Sequence, residues 1–217
     1  MKSNIIELLN YDKSYGCTVI GTDEAGRGSG IGAVFAGAVY FPDINENLIS
    51  KLSKLNDSKQ LSKKQREELY KIVKNETINS VAAVEVEEIE KINILNASLK
   101  AMRVAVENVI RQIGSKKFIV LIDGNKLIKD FEYPQKYVIK GDSISASIAG
   151  ASILAKVERD NYVVELSKQY PQYDWDKNMG YLTKAHLNAI DKFGITPLHR
   201  KSYLTKHFAQ SKQLSLL

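Results

Sequence analysis

Short apolar runs that end in acidic residues place the strongest constraint on how this chain can fold. They are residues 17–22 before Asp23-Glu24, residues 117–124 with Asp123, and residues 137–142 with Asp142. Runs of this length that contain Val and Ile predict buried strands. Open α/β sheets bind ligands at the carboxyl ends of their strands, so we expect these acidic side chains to line one open site.

The order of the other elements predicts a mixed sheet covered by helices. Ser62 is expected to cap a helix, with Gln65 completing a capping box. Apolar residues recur at helical spacing over 92–113. Besides the three runs above, strands are expected at 32–41 and 79–88, and helices at 63–73, 92–113, 143–170, around 183–192 and beyond 203. An antiparallel meander followed by a strand–helix–strand crossover accounts for this order.

Four carboxylates form the candidate catalytic group: Asp23, Glu24, Asp123 and Asp142. If the strand ends meet, these charges repel one another unless cations neutralise them. Oxygen-only ligands favour Mg²⁺ or Mn²⁺ over zinc, and two such ions can support hydrolysis of a phosphodiester. The alternative is that these acids cap helices or pair with lysines, and Asp142 suits the N-terminus of the helix that follows it.

A glycine–arginine turn, Gly26-Arg27-Gly28, follows the first acidic pair. Glycines let a bulky ligand approach backbone amides, and an arginine suits a phosphate. Together with the carboxylates, the turn indicates a site for a polyanion that is attacked with the help of metal ions.

The composition favours a nucleic-acid partner without requiring one. The chain of 217 residues has 31 Lys and Arg against 25 Asp and Glu, a net charge of +6 and a pI of about 9.1. An ordinary basic surface is the alternative. A single cysteine, no signal-peptide pattern and no apolar run of membrane length predict a cytoplasmic protein that does not enter a membrane. The length predicts one domain, 1–217, with or without an appended lobe.

Six motifs, in order along almost the whole chain, resemble those of the ribonuclease HII family. They are GTDEAGRG (21–28), LNDSKQLS (55–62), LIDGN (121–125), KGDSISASIAGASILAKVERD (140–160), GYLTKAH (180–186) and TPLHRKSY (196–203). In the sister group, ribonuclease HIII, Gly-Thr-Gly usually stands in place of Gly26-Arg27-Gly28. One departure is that the run GRGSGIGAV lacks the prolines that many members carry, which suggests a more mobile loop.

The resemblance implies an α/β, ribonuclease H-like fold with a small helical, substrate-binding C-terminal lobe at about 171–217. It implies that Asp23, Glu24, Asp123 and Asp142 bind two Mg²⁺ or Mn²⁺ ions. The implied substrates are RNA–DNA hybrids and duplex DNA with embedded ribonucleotides, which the family incises 5′ to the ribonucleotide to leave 3′-hydroxyl and 5′-phosphate ends. This activity would remove ribonucleotides and RNA primers from DNA.

The resemblance also implies how the ribonucleotide is read. The backbone of Gly26, Arg27 and Gly28 and the hydroxyl of Tyr181 would sense the 2′-hydroxyl, which is what distinguishes RNA from DNA. Lys59 and Lys156 are candidate phosphate contacts, although ordinary surface lysines are the alternative, and Tyr181 has a purely structural alternative. Further cationic residues are expected to form a basic wall over the duplex: Lys184, Lys192, His199, Arg200, Lys201 and Lys206.

Two other functions fit the same residues. One is a non-catalytic nucleic-acid-binding module, which would bind with a steep salt dependence and no turnover. The other is a different ribonuclease H-like nuclease, such as a transposase or junction nuclease, that acts on all-DNA substrates. We expect a monomer. The glutamines and leucines of 210–217 would suit contact with a replication clamp, but nothing else in the sequence supports such contact, and a frayed helix or disorder is the alternative.

Overall fold

A five-stranded mixed sheet forms the centre of the protein. The computed structural model describes residues 4–55, 61–114 and 117–214. The strands are β1 (Thr18–Ala25), β2 (Val34–Tyr40), β3 (Ile78–Val84), β4 (Phe118–Asp123) and β5 (Gln135–Val138). Their order is β3-β2-β1-β4-β5, with β1, β2 and β3 antiparallel and β1, β4 and β5 parallel. The predicted meander followed by a crossover is therefore confirmed.

Strand register places two of the acidic residues side by side. Thr22 of β1 lies opposite Ile122 of the parallel strand β4. The next residue in each strand is Asp23 or Asp123, so both carboxylates leave the sheet at the same edge. This edge is formed by the carboxyl ends of two central strands, where open α/β sheets bind ligands.

Helices cover both faces of the sheet. Their bounds are α1 (Ile5–Lys13), α2 (Glu46–Lys51), α3 (Lys63–Glu76), α4 (Val86–Ile113), α5 (Ala146–Gln169), α6 (Trp175–Asn178), α7 (Lys184–Phe193) and α8 (Lys201–Leu214). Apolar residues of α4 pack with Ala36 and Ala38 of β2 in one core, while those of α1, α3 and α5 pack with Val39 in another. Alternate residues of a strand point to opposite faces, so α4 and α5 lie on opposite sides.

The helix α5 lies directly on the sheet because glycines face it. A Cβ atom on Gly37 of β2 would lie 2.4 Å from the carbonyl oxygen of Ala151, and one on Gly21 of β1 would lie 2.2 Å from the amide nitrogen of Ile148. Alanine, serine and glycine at the start of α5 complete this close contact. The close contact with the backbone of α5 therefore fixes the position of β1, the strand that carries Asp23.

Several predicted boundaries are wrong. The strand expected at 79–88 ends at Val84, because Val86 begins α4, and α4 itself is kinked at Asn93 with φ 64°. The strand expected at 137–142 ends at Val138. Asp142 lies in a 3₁₀ turn, Gly141–Ser143, and α5 begins only after the cap residue Ser145. Helices α1 and α2 were not predicted, whereas the capping box of Ser62 and Gln65 is confirmed.

The C-terminal part is helical and has a small core of its own. Tyr173 and Trp175 stack with ring centroids 5.2 Å apart and pack with Ile190, Leu204 and, from α5, Val163. The expected helices after residue 183 are confirmed by α7 and α8. Within the parts of the chain that the structure describes, no helix is long and apolar enough to cross a membrane.

Candidate active site

Asp23 is the buried centre of the site. Asp23 is only 5% exposed, and one of its carboxylate oxygens accepts a hydrogen bond from the amide of Glu24 at 2.7 Å. The hydroxyl of Ser152, in the first half of α5, also bonds to the carboxylate. Burial raises the pKa of Asp23 well above its usual value, and the nearby charges of Glu24 and Asp123 raise it further. A buried carboxylate with two acidic neighbours indicates a place where a cation would be stabilised.

Asp123 and Asp142 are held close together by one backbone hydrogen bond. The amide of Gly141 donates to Oδ1 of Asp123 at 2.6 Å, and Asp142 is the next residue. Lys140 enters the turn with φ 55°, a left-handed conformation that redirects the chain after β5. Asp142 is itself 7% exposed. The 3₁₀ turn thus brings Asp142 to Asp123 although no strand ends there.

The chemistry of these donors fits hard divalent cations. All four side chains offer carboxylate oxygens, which suit Mg²⁺ or Mn²⁺. Glu24 is paired with Arg27, whose Nη1 lies 3.0 Å from Glu24 Oε1. In the described parts of the chain, no group of three or more acidic, histidine or cysteine side chains is arranged to hold a metal ion as it stands. Bound ions would therefore have to draw the carboxylates together and compete with Arg27 for Glu24.

The turn 26–28 lies at the mouth of a cleft of about 320 Å³ that also contains the acidic pair. Gly26 has φ 99°, which a residue with a side chain rarely adopts. The cleft is lined by Asp23, Glu24, Ala25, Gly26, Arg27, Gly28, Ser152, Lys156, Arg159 and Tyr181. The structure thus brings most of the residues singled out from the sequence into one cleft. Asp123 lies near Asp23, and Asp142 follows the glycine that bonds to Asp123.

Tyr181 faces the turn across the cleft. A Cβ atom on Gly28 would lie 3.3 Å from the Tyr181 ring, and the Tyr181 residue is 46% exposed. The preceding residue, Gly180, has φ 70°, and its carbonyl accepts hydrogen bonds from the amide of Gly30 at 2.9 Å and from the hydroxyl of Ser29 at 3.2 Å. The turn and the segment that carries Tyr181 are therefore fastened to each other.

The structure describes one of the two lysines that were proposed as phosphate contacts. Lys156 lines the cleft and forms an ion pair with Asp160 at 2.9 Å. Lys59 lies outside the described residues. Arg159, which the sequence analysis did not single out, is 1% exposed, donates to the carbonyl of Met179, and lies under the Tyr181 ring at 5.7 Å. Its position in the motif KVERD was the only signal for it.

The predicted basic wall is wrong for two of its members. Arg200 is 0% exposed and His199 is 1% exposed, so neither reaches solvent. Arg200 instead donates hydrogen bonds to carbonyl groups of the loop that begins at Gly26. The remaining members are exposed: Lys184, Lys192, Lys201 and Lys206.

Comparison with known proteins identifies the family. The family model for ribonuclease HII matches residues 20–208. Ribonuclease HII of Pelagibacter ubique is 50% identical over 183 residues, which is 84% of this chain and 94% of the relative. Ribonuclease HII of Fusobacterium nucleatum is 45% identical over 200 residues, which is 92% of this chain and 91% of the relative.

Solved structures share the fold. Ribonuclease H2 of Pyrococcus horikoshii is 25% identical with a TM-score of 0.63, covering 85% of this chain and 93% of that one. Ribonuclease HII in its PCNA complex from Archaeoglobus fulgidus is 22% identical with a TM-score of 0.67, covering 84% and 93%. The ribonuclease H-like fold is therefore confirmed, and the chain belongs to the ribonuclease HII family of endoribonucleases.

Proposed function

We propose that the protein is a metal-dependent endonuclease that cuts RNA strands paired with DNA and incises duplex DNA 5′ to embedded ribonucleotides. The products would carry 3′-hydroxyl and 5′-phosphate ends, and the activity would remove ribonucleotides and RNA primers from DNA. One observation carries the proposal: the acidic pair, the glycine–arginine turn and Tyr181 line the same cleft. Chemistry and recognition of the ribose can thus occur on one bound nucleotide.

Asp23, Glu24, Asp123 and Asp142 are the proposed catalytic residues and would hold two Mg²⁺ or Mn²⁺ ions. When bound, such ions lower the pKa of a water molecule and stabilise the leaving oxygen of a phosphodiester. The protein keeps Asp23 in place through Ser152 and the amide of Glu24, and keeps Asp123 in place through the amide of Gly141. These fixed contacts limit how far the carboxylates move when substrate binds.

Recognition of the ribose is assigned to the turn and to Tyr181. The backbone of Gly26, Arg27 and Gly28 would bond to the 2′-hydroxyl, and the Tyr181 hydroxyl would bond to the same oxygen while its ring packs on the next sugar. Arg27, half exposed at the mouth of the cleft, is free to turn from Glu24 to a phosphate once cations neutralise that acid. Lys156 and Lys59 are proposed as weaker phosphate contacts.

Residues 171–217 are proposed as a substrate-binding lobe within a single domain that works as a monomer. The exposed lysines of α7 and α8 supply the positive charge that a duplex needs. Ribonuclease HII of Archaeoglobus fulgidus was solved as a complex with PCNA. For this chain, contact with a replication clamp is the part of the proposal with the least support, since helix α8 continues to Leu214.

The proposal is tested with an end-labelled DNA duplex that contains one internal ribonucleotide. We expect incision 5′ to the ribonucleotide with Mg²⁺ or Mn²⁺, none with chelator, and none of an all-DNA duplex. Asp23→Asn should reduce cleavage by at least about a thousandfold, because it removes a buried ligand charge. The variant should stay folded, because the amide relieves repulsion from Glu24 and Asp123.

Glu87→Gln is the matched control for this experiment. Glu87 is an exposed acid on α4 that pairs with Lys91 at 2.6 Å and does not line the cleft, so its loss should leave cleavage unchanged. Retained cleavage in folded Asp23→Asn would refute the assignment of Asp23. Cleavage of the all-DNA duplex would favour a different ribonuclease H-like nuclease, and binding without cleavage under either metal would favour a nucleic-acid-binding module.

A further inference from the structure

Arg200 is buried directly beneath the glycine–arginine turn. Arg200 immediately precedes helix α8 and is 0% exposed. Its Nη1 lies 2.8 Å from the carbonyl oxygen of Gly26, 3.2 Å from that of Arg27 and 2.8 Å from that of Ser29. Its Nε and Nη2 lie 3.0 Å and 2.9 Å from the carbonyl oxygen of Gly32. All of these partners are backbone carbonyls of a single loop.

These bonds fix the direction of the amides in the turn. A trans peptide group is planar, and its carbonyl and N–H point in opposite directions. When Arg200 holds the carbonyls of Gly26 and Arg27 inward, the amides of Arg27 and Gly28 must point away from it. The peptide that joins Ser29 to Gly30 shows the same arrangement. Its carbonyl, from Ser29, bonds to Arg200, while its amide, from Gly30, bonds outward to Gly180.

The outward amides face the cleft. Among the residues that the structure describes, no backbone or side-chain group accepts a hydrogen bond from the amide of Arg27 or of Gly28. Both residues line the cleft, and Gly28 lies against the Tyr181 ring. The two amides are thus available to an acceptor oxygen that enters between the turn and Tyr181.

Tyr203, in the first turn of helix α8, supports the same peptide. The hydroxyl of Tyr203 donates to the carbonyl of Arg27 at 2.6 Å, and the Arg200 guanidinium lies 5.5 Å from the Tyr203 ring. The carbonyl of Arg27 therefore has two donors from the C-terminal part. Because charge-assisted bonds are stronger than neutral ones, Arg200 contributes more to this arrangement than Tyr203 does.

We propose that Arg200 is a positioning residue for ribonucleotide recognition: by holding the carbonyls of Gly26 and Arg27 inward, it aims the amides of Arg27 and Gly28 at the 2′-oxygen. This inference rests on the proposed function and adds to it a buried residue that never touches substrate. Tyr203 assists at the second of the two peptides. The C-terminal lobe then contributes to selectivity for ribose as well as to binding of the duplex.

The test measures how strongly the protein prefers ribose to deoxyribose. Affinities for a duplex with one ribonucleotide and for the matching all-DNA duplex are measured by fluorescence anisotropy with Mg²⁺, in an Asp23→Asn background that leaves the strand uncut. The variants are Arg200→Lys, which keeps the charge but loses the planar fork, and Tyr203→Phe, which loses only the hydroxyl. We expect the preference for the ribonucleotide to fall at least about tenfold in the first and about threefold in the second.

Tyr173→Phe is the matched control for Tyr203→Phe. Tyr173 also lies in the C-terminal part and donates its hydroxyl to a backbone carbonyl, that of Gly194 at 2.8 Å, but this carbonyl is not in the turn. The control should keep the full preference for the ribonucleotide. Circular dichroism shows whether each variant is folded, and the comparison of the two tyrosine variants remains decisive if Arg200→Lys does not fold.

The outcomes separate this inference from the proposed function. If the wild-type protein does not cleave the ribonucleotide duplex, the proposed function is wrong. If it does cleave this duplex and the Asp23→Asn protein binds both duplexes equally, the turn does not read the ribose on binding and the role of Arg200 is refuted. If the Asp23→Asn protein prefers the ribonucleotide and Tyr203→Phe keeps that preference, or loses no more of it than Tyr173→Phe, the role of the Arg200 contacts is refuted. A folded Arg200→Lys variant with the full preference would refute it as well.

Discussion

At the scale of single residues, Tyr181 is the side chain whose removal should separate catalysis from stability. Its residue is 46% exposed, so truncation costs little packing energy, yet its ring faces Gly28 across the cleft. We expect Tyr181→Ala to lower kcat on a single-ribonucleotide duplex at least about tenfold, because the ring and hydroxyl no longer align the sugar. The dissociation constant for the same duplex should change less. Steady-state cleavage and anisotropy measure the two effects.

Tyr133→Ala is the corresponding control. Its residue is 43% exposed, and its ring packs against Phe118, at the opposite end of β4 from Asp123. This substitution should leave both kcat and affinity unchanged. Equal losses of kcat and affinity in Tyr181→Ala would refute the role proposed for Tyr181, and a loss of affinity with unchanged kcat would show that Tyr181 contributes only to binding.

Which residues the sequence could reveal depended on what surrounds them along the chain. Asp23 and Asp123 could be predicted because each follows an apolar run, and that run becomes a central strand. The burial of Arg200 could not be predicted, because the sequence does not distinguish a buried arginine from an exposed one. The four backbone carbonyls that accept its five hydrogen bonds also lie far away in sequence. The motif around Arg200 marked the position, but only the structure shows that it faces inward.

At the scale of elements, contact between β2 and α5 should be sensitive to a single methyl group. A Cβ atom at Gly37 would lie 2.4 Å from the carbonyl oxygen of Ala151, which belongs to the helix backbone and cannot turn aside. We expect Gly37→Ala to lower the free energy of unfolding by at least about 2 kcal/mol, the range of an overpacked core. Urea denaturation of the wild-type and variant proteins measures this difference.

Gly150→Ala provides the comparison within the same interface. Its nearest neighbours are side-chain carbons of Val39, Val73 and Phe41, at 3.3 to 3.6 Å, which can move slightly. Alanine also favours the helix by up to about 1 kcal/mol over glycine. The free energy of unfolding should therefore change much less than in Gly37→Ala. Similar losses in both variants would show that α5 is not held by the backbone contact.

Boundaries between elements were the least predictable part of the fold. Residues 79–88 have the composition of a strand, but helix α4 begins at Val86. The strand ends where its pairing with β2 ends, at Val84, and the pattern of apolar residues cannot show where that pairing stops. Asp142 was predicted at a strand end and lies in a 3₁₀ turn instead, because Gly141 bonds to Asp123 across the sheet edge. The same hydrogen bond keeps the backbone of Asp142 next to Asp123, so the position of Asp142 does not depend on the strand that was expected to carry it.

At the scale of the whole molecule, a buried histidine pair joins the C-terminal lobe to the cleft. His186 Nδ1 lies 3.0 Å from the carbonyl of Tyr181, which only accepts, so this nitrogen carries the proton. The amide of Thr196 donates to His199 Nδ1 at 2.9 Å, so the proton of His199 is on Nε2 and points to His186 Nε2 at 3.2 Å. Trp175 donates to the same atom at 2.9 Å. Both rings must be neutral for all of these bonds to form.

Stability should therefore fall in acid because of this pair. Burial lowers the pKa of His199 to about 4, helped by the nearby His186, whose own pKa burial also lowers. Between about pH 6.5 and pH 4 the unfolded chain binds a proton that folded His199 does not, so stability is lost as the pH falls through this window. His199→Asn, which cannot titrate, should lose about 2 kcal/mol less than the wild-type protein between pH 7 and pH 4.5.

Urea denaturation at several pH values measures this difference. The pKa values of Asp12 and Asp23 are raised, by burial first of all, and act in the opposite direction, but both groups are present in each protein and cancel in the comparison. Parallel curves for the two proteins would contradict this prediction, because they would mean that folding does not lower the pKa of His199. If His199→Asn loses less free energy of unfolding in acid than the wild-type protein does, the pH dependence of stability arises from the hydrogen bonds that also hold the carbonyl of Tyr181. The same bonds then help to maintain the shape of the cleft.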